Sequence, residues 1–284
     1  MEIINRRQRM FSISRKLRRE NKTVGFVPTM GSLHDGHFSL VRDARASNDI
    51  VVVSIFVNPT QFNDKKDLEK YPRDLTADAA RLAEFDVDYV YAPERDEIYP
   101  EGFSTYVYVE ELGETLEGAS RPGHFRGVAT VVTIFFNTIR PDCAYFGQKD
   151  AQQVAIVKRL TRDLGFETEI VVLPTVREES GLALSSRNSL LTEEARQKAA
   201  VIFRALRDAK VAFKKGERNA LKLVETVQKE ISEEPLARID YISVVDQQTL
   251  QPIEKVGDGE AMIVVAVYFE DVRLIDNIVL NRKQ

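Results

Sequence analysis

Short apolar runs alternate with amphipathic stretches through the first two-thirds of the chain. Residues 24–27, 50–57, 89–91, 143–146 and 170–173 are dominated by Val, Ile, Leu, Phe and Tyr, the pattern of parallel strands covered on both faces. Between them, the residues after His37 and residues 76–85, 125–139 and 151–164 repeat apolar positions at the spacing of a helix with one buried face. Met10, Ile13 and Leu17 predict another helix ahead of the first strand. This β–α alternation predicts an α/β fold, a doubly wound, Rossmann-like parallel sheet whose ligands bind at the carboxyl ends of its strands.

The pattern changes after Pro174. Ala195, Ala199, Ile202, Phe203 and Leu206 predict a helix over residues 193–210, and a second is expected over 220–231. Strand-like runs follow at 239–245, 262–269 and 272–280, set apart by Gly257, Gly259 and acidic turn residues. The expectation is a larger N-terminal domain over residues 1–175 and a smaller α+β C-terminal domain over 176–284, for which 284 residues are ample. Residues 177–188 link the two, so the second domain could serve as a lid over a ligand held by the first.

The candidate chemistry lies in three loops, each directly after an expected strand and so on one edge of the sheet. Met30-Gly31-Ser32-Leu33-His34-Asp35-Gly36-His37 places two imidazoles where a strand turns into a helix. A helix N-terminus offers free N–H groups and partial positive charge, and therefore draws phosphate. The other two loops are Asn58-Pro59-Thr60-Gln61-Phe62 and Gly147-Gln148-Lys149-Asp150. Lys149 can reach a phosphate as a flexible point charge, and Ser185-Ser186-Arg187 offers hydroxyls and a guanidinium. Gln61 and Gln153 are uncharged groups suited to hydroxyl and carboxylate oxygens. Arg121-Pro122-Gly123-His124-Phe125 reads either as a second anion-facing loop or as a plain helix entrance.

Composition narrows the class. The net charge of −4 is spread in mixed runs without a basic stripe, which argues against nucleic acid as the main partner. Cys143 is the single cysteine, so an intrachain disulfide and a thiolate metal cluster are excluded. The apolar run at 128–139 is too short to span a bilayer, and the arginine-rich first twenty residues lack the apolar centre of a secretory signal. A cytoplasmic location is expected. No Gly-Lys-Ser/Thr phosphate loop, three-glycine dinucleotide fingerprint, Ser-His-Asp spacing or zinc pattern occurs. A cationic site without an evident nucleophile points to catalysis by positioning and charge neutralisation at phosphorus. From these residues alone, a nucleotidyl transferase or a nucleotide-binding protein without turnover remains open.

Taken together, the motifs resemble the pantoate–β-alanine ligases (pantothenate synthetases) of the His-x-Gly-His nucleotidyl-transfer superfamily, related in fold to class I aminoacyl-tRNA synthetases. The resemblance rests on Pro28 through His37, Phe56 through Phe62, Tyr71-Pro72-Arg73, Arg121 through Val128, Phe146 through Asp150, and Leu184 through Asn188, in family order. It implies an AMP-forming ligase of pantothenate and coenzyme A biosynthesis, with ATP, pantoate and β-alanine as substrates, Mg2+ accompanying ATP, and a homodimer. ATP and pantoate would give pantoyl adenylate and pyrophosphate, and β-alanine would then displace AMP. By the same resemblance, His37 (as the acid), His34, Lys149 and Arg187 are the catalytic candidates. Met30, Gly31, Ser32, Leu33, Asp35, Gly36, Gly147, Gln148, Asp150, Val176, Leu184, Ser185 and Ser186 would join them in lining the ATP site. Gln61 and Gln153 would hold pantoate, Gln61 also lying near β-alanine. Two departures stand out: Leu184 where many members carry methionine, and Gln148 where glutamate is frequent. Asp78 aligns with a possible metal contact, but no metal ligand is assigned.

Overall fold

The computed structural model describes residues 1–63, 68, 69, 71–257 and 259–281. It comprises two compact units: Met1–Gly147 with Gln152–Leu173, and Gln148–Ala151 with Pro174–Gln284.

The first unit is built on a six-stranded sheet of β1 (Glu2–Ile4), β2 (Val24–Thr29), β3 (Ile50–Ile55), β4 (Tyr89–Tyr91), β5 (Cys143–Gly147) and β6 (Glu169–Leu173). The order is β1-β4-β3-β2-β5-β6 and every pairing is parallel, as expected of a doubly wound sheet. Burial on both faces explains the continuous apolar runs. Phe26 of β2 packs edge-on to Phe135 and Phe136 at 5.9 and 6.4 Å, while its neighbour Val27 joins Phe38, Val41 and Leu82 in another cluster.

Helices α1 (Arg7–Arg19), α2 (Asp35–Ser47), α3 (Leu75–Ala83), the short α4 (Arg95–Ile98) and α5 (Glu117–Ser120), α6 (His124–Ile139) and α7 (Ala151–Asp163) fill the connections. Met10, Ile13 and Leu17 are the buried face of α1, and the Ser14 hydroxyl donates to the Thr138 carbonyl at 3.0 Å, fixing α1 on α6. Strand β1, Glu2-Ile3-Ile4, is too short to show a pattern; only Ile4 is buried, and backbone pairing from Glu2↔Tyr89 to Ile4↔Tyr91 holds it. The expected strand over 50–57 stops at Ile55; the Phe56 N–H still donates to the Thr29 carbonyl as the last bond of the β2–β3 ladder, and the chain then enters the 3-10 turn Pro59–Gln61. With all strands parallel, the loops after β2, β3 and β5 leave from one edge. The strand order reverses between β2 and β5, the position where such sheets bind ligands.

The second unit pairs an antiparallel sheet, β7 (Ala237–Asp246), β8 (Ala261–Phe269) and β9 (Val272–Leu280), with α8 (Glu193–Lys198), α9 (Val201–Lys214) and α10 (Ala220–Ser232). Its core joins Ile202, Leu206, Phe213, Leu223, Val227 and Ile231 to Ile263, Val265 and Val267. The single helix expected over 193–210 is two. Ala200 and Ile202 donate to carbonyls three residues back, Gln197 and Ala199, and this tightening separates α8 from α9. Ala195 and Ala199 stay buried across the break, so the apolar periodicity runs through it unbroken.

Candidate active site

The loop after β2 is fixed from below and from within. Gly31 stands at φ 85° and Ser32 at φ 54°, a left-handed pair that carries the chain sharply from strand to helix. The Asp78 carboxylate of α3, buried to 6% exposure, accepts from Ser32 N–H at 2.8 Å and from Leu33 N–H at 2.9 Å. A Cβ on residue 31 would stand 3.0 Å from that carboxylate, so glycine is required by space as well as by φ. Arg81, one turn along α3, donates to the Leu33 carbonyl at 2.7 Å and lies over the Phe38 ring at 4.3 Å. Sequence reasoning considered Asp78 only as a metal contact and left Arg81 aside; their place in the i, i+3 spacing of an amphipathic helix was the available signal.

The two histidines organise the start of α2. His34 is its N-cap, with Nδ1 accepting from Gly36 N–H at 3.2 Å, and His37 Nδ1 accepts from His34 N–H at 3.3 Å. The rings lie 4.1 Å apart, centre to centre. Because each Nδ1 is an acceptor, a neutral ring carries its proton on Nε2 and presents an N–H donor there. Gly36 lies in the first helical turn, where its N–H is capped by His34. Leu33 is buried in the cluster with Phe38, and its N–H and carbonyl are both taken by α3; Asp35 is exposed beside Arg81 at 3.6 Å.

The loop after β3 is held by Asn58. Its Oδ1 accepts from Thr60 Oγ1 at 2.9 Å and Tyr99 Oη at 2.8 Å; its Nδ2 donates to Gln61 Oε1 at 3.1 Å and to the Gly127 carbonyl at 3.0 Å. Gln61, 8% exposed, thus has its carbonyl end fixed, and its Nε2 donates to Met30 Sδ at 2.9 Å. That contact brings two of the sequence-selected residues together. His124 is buried beneath the same turn: Nδ1 lies 2.7 Å from the Gln61 carbonyl and Nε2 lies 3.3 Å from Arg121 Nη1. The neutral ring with Nδ1–H donating satisfies both, so His124 supports Gln61 and the helix-entrance reading of its loop fits the geometry. A Cβ on Gly127 would meet the Thr60 carbonyl group at 2.6 Å, so α6 can approach this turn only with glycine there. Burial pushes the Tyr99 hydroxyl up to about 12, against the opposite pull of its bonds to Thr60 and Asn58. Gln153 is half-buried in the first turn of α7. Its neighbour Gln152 is the structural amide, accepting from Glu117 N–H and donating to the Leu112 and Thr115 carbonyls.

In the second unit, Gln148–Asp150 forms a 3-10 turn following Gly147. Lys149 is 19% exposed in its side chain, with Nζ 3.4 Å from Asp150 Oδ1. Residues 176–184 form a hairpin in which Leu184 N–H donates to the Val176 carbonyl at 3.0 Å, joining two more selected positions. Ser185 then caps a short 3-10 turn, Ser186–Leu190, its Oγ accepting from Arg187 N–H at 3.2 Å. Asn188, buried behind it, donates to Glu178 Oε1 and the Ala183 carbonyl. Among the described residues no group of three or more His, Cys, Asp or Glu could hold a metal ion, and both oxygens of Asp78 already accept backbone N–H groups.

Residues 2–279 match the family model described as pantoate-beta-alanine ligase. Pantothenate synthetase of Thermosipho africanus is 49% identical over 99% of this chain and 100% of its own length; that of Moorella thermoacetica is 52% identical over 93% of each. A crystal structure of the Thermus thermophilus enzyme, 46% identical, superposes with a TM-score of 0.93 over 99% of this chain and 100% of that one. The Francisella tularensis pantoate-beta-alanine ligase, solved with β-γ ATP and β-alanine, is 38% identical, with a TM-score of 0.81 over 98% and 97%. Matched over nearly its whole length in sequence and in fold, the chain belongs to the pantoate–β-alanine ligase family.

Proposed function

We propose that His34, His37, Lys149 and Arg187 carry the chemistry of this chain by stabilising negative charge on the phosphates of ATP. The overall reaction comes with the family: ATP-dependent condensation of pantoate with β-alanine to pantothenate. In the proposed first step a pantoate carboxylate oxygen attacks the α-phosphorus and the bond to the bridging oxygen breaks. The electron pair leaves with pyrophosphate, giving pantoyl adenylate. In the second, the β-alanine nitrogen attacks the acyl carbon, loses a proton, and AMP departs. Charge builds on phosphate oxygens in the first step, and preorganised N–H donors and cations aimed there lower its barrier.

The observation that carries this reading is the orientation of the two histidines, whose Nδ1 atoms both accept backbone N–H and so leave Nε2–H as the donating end. The first turn of α2 adds its own dipole. Met30, Gly31, Ser32, Leu33, Asp35, Gly36, Gly147, Gln148, Asp150, Val176, Leu184, Ser185 and Ser186 complete the proposed ATP contacts, several through backbone alone. Gln61 and Gln153 are assigned to pantoate. Sulfur is a weak acceptor, so the Gln61 N–H on Met30 Sδ is readily traded for a carboxylate or hydroxyl oxygen. Mg2+ is assigned to the nucleotide substrate itself, with no protein ligand. A homodimer in the cytoplasm is proposed on the resemblance to the family.

The deciding measurement is pantoate-dependent exchange of labelled pyrophosphate into ATP, with magnesium present and β-alanine absent. Exchange is expected. Its absence from folded, ATP-binding protein would overturn the adenylate step.

A further inference from the structure

The second unit contains a buried polar pair that neither the sequence reasoning nor the reaction accounts for. Asp276 and Asn277 sit side by side on β9, 5% and 4% exposed, in a strand otherwise made for packing. Asn277 spends its side chain entirely on one short turn. Nδ2 donates to the carbonyls of Gln148 at 2.9 Å and Lys149 at 3.0 Å, and Oδ1 accepts from Gln148 Nε2 at 3.0 Å. Asp276 forms a two-pronged ion pair with Arg177, at 2.6 and 3.0 Å, and also accepts the Asn277 N–H at 2.8 Å. Arg177 continues to the Gly181 carbonyl and lies over the Phe203 ring at 3.8 Å. Burying this much polarity is costly unless every group is paired, and here the pairing is spent on the backbone that carries Lys149.

We infer that Asn277 is a positioning residue for Lys149. It acts by locking the two carbonyls of the Gln148–Lys149 turn, so the lysine leaves the backbone in one direction. The amide is suited to this in a way its isostere is not. An Asp at 277 would set a carboxylate oxygen against two carbonyl oxygens, and a hydrophobic residue would take this side-chain donor from both. Gln148 reads the other end of the same amide, fixing which end faces the turn. Asp276 anchors the neighbouring stretch that begins at Arg177, so one strand edge braces both stretches of this unit assigned to ATP.

The inference rests on the proposed role of Lys149, and a double-substitution cycle separates the two. K149A alone tests the lysine: it should lower the pyrophosphate exchange rate about 10²-fold or more. Unchanged exchange would overturn the lysine's role and the inference with it. If K149A is impaired, N277A in the wild-type background should lower kcat for exchange by about 10–10²-fold, the scale of a reacting group misplaced by about an ångström. Its effect on the KM for pantoate should be small. In the K149A background the same change should cost less than about twofold, because no lysine is left to aim. An equal loss in both backgrounds, or none in wild type, would overturn the positioning role while leaving Lys149's own role standing. N277D repeats the cycle in a side chain of equal size should N277A fail to fold. Failure of both to fold would also overturn the inference, since Asn277 would then be needed by the fold as a whole.

Discussion

The loop over residues 30–37 and the turn Gln148–Asp150 both carry groups assigned to phosphate, yet they are held by different means. The first is secured many times over: Asp78 and Arg81 brace it from α3, 45 to 48 residues along the chain, and His34 and His37 cap their own helix. The second, a 3-10 turn, takes donors for two of its carbonyls from Asn277, 128 and 129 residues away on β9. A helix start can cap itself because its free N–H groups meet nearby side chains. The turn at 148–150 also leads directly into a helix, α7, yet two of its carbonyls take a further donor from β9, far along the chain. Loss of one contact should therefore be partly absorbed in the first loop and fully felt in the second.

The largest effect is expected where a group meets the substrate. His37→Ala should reduce pyrophosphate exchange about 10²–10³-fold. The stability loss should be the modest ~0.5–2 kcal/mol of a weakened cap. Thermal unfolding beside the exchange assay checks both, and near-wild-type exchange would remove His37 from the mechanism. Asp78→Ala tests the redundancy of the first loop. Two buried N–H groups lose their acceptor, for about 1–3 kcal/mol in denaturant unfolding. Exchange should fall only about tenfold, because Arg81 and the histidine caps remain. A loss as deep as that of His37→Ala would show the loop to hang on Asp78 alone.

Gly127→Ala extends the comparison to the pantoate side. The new Cβ would press on the Thr60 carbonyl group at 2.6 Å, an overpacking worth about 1–3 kcal/mol. The displaced turn carries Gln61, so KM for pantoate should rise while KM for ATP stays near its original value; the reverse split would contradict the assignment of Gln61. The smallest effect concerns Tyr99, whose hydroxyl is held neutral by burial up to about 12, above its ordinary 10.0. A group raised in the folded state stabilises fully below its unfolded pKa and loses that contribution as pH climbs through the folded one. Stability should thus be indifferent to Tyr99 ionisation below about pH 10 and decline toward 12, and Tyr99→Phe should flatten that decline in a pH series of melts.

The alternating apolar runs were enough to read the parallel sheet and the change of architecture after Pro174. Burial on both faces of a strand leaves a continuous apolar signature, as in residues 24–27. Strand β1 escaped because an edge strand of three residues is held by backbone bonds that leave no mark on side-chain choice. The break between α8 and α9 escaped because a tightened turn conserves the buried face. At the site, the loops bearing His34, His37, Gln61 and Lys149 stood out because each follows an expected strand, while the roles proposed for these residues and for Arg187 came from the family resemblance. The bracing partners of Asp78, Asn58, His124 and Asn277 did not show in the sequence: an Asp on a helix, or an Asn in a strand, looks ordinary until its partners are known.

What the sequence determined by itself was therefore local and periodic: the strands and helices, the glycine-bearing turn before α2, and the set of cations offered to a phosphate. Tertiary structure alone decided which side chains brace the first loop, what the Nε2 end of Gln61 meets, and what holds the Lys149 turn. Hydrophobic periodicity is written in adjacent residues, whereas a buried hydrogen bond is written in two residues that only folding brings within 3.0 Å of each other.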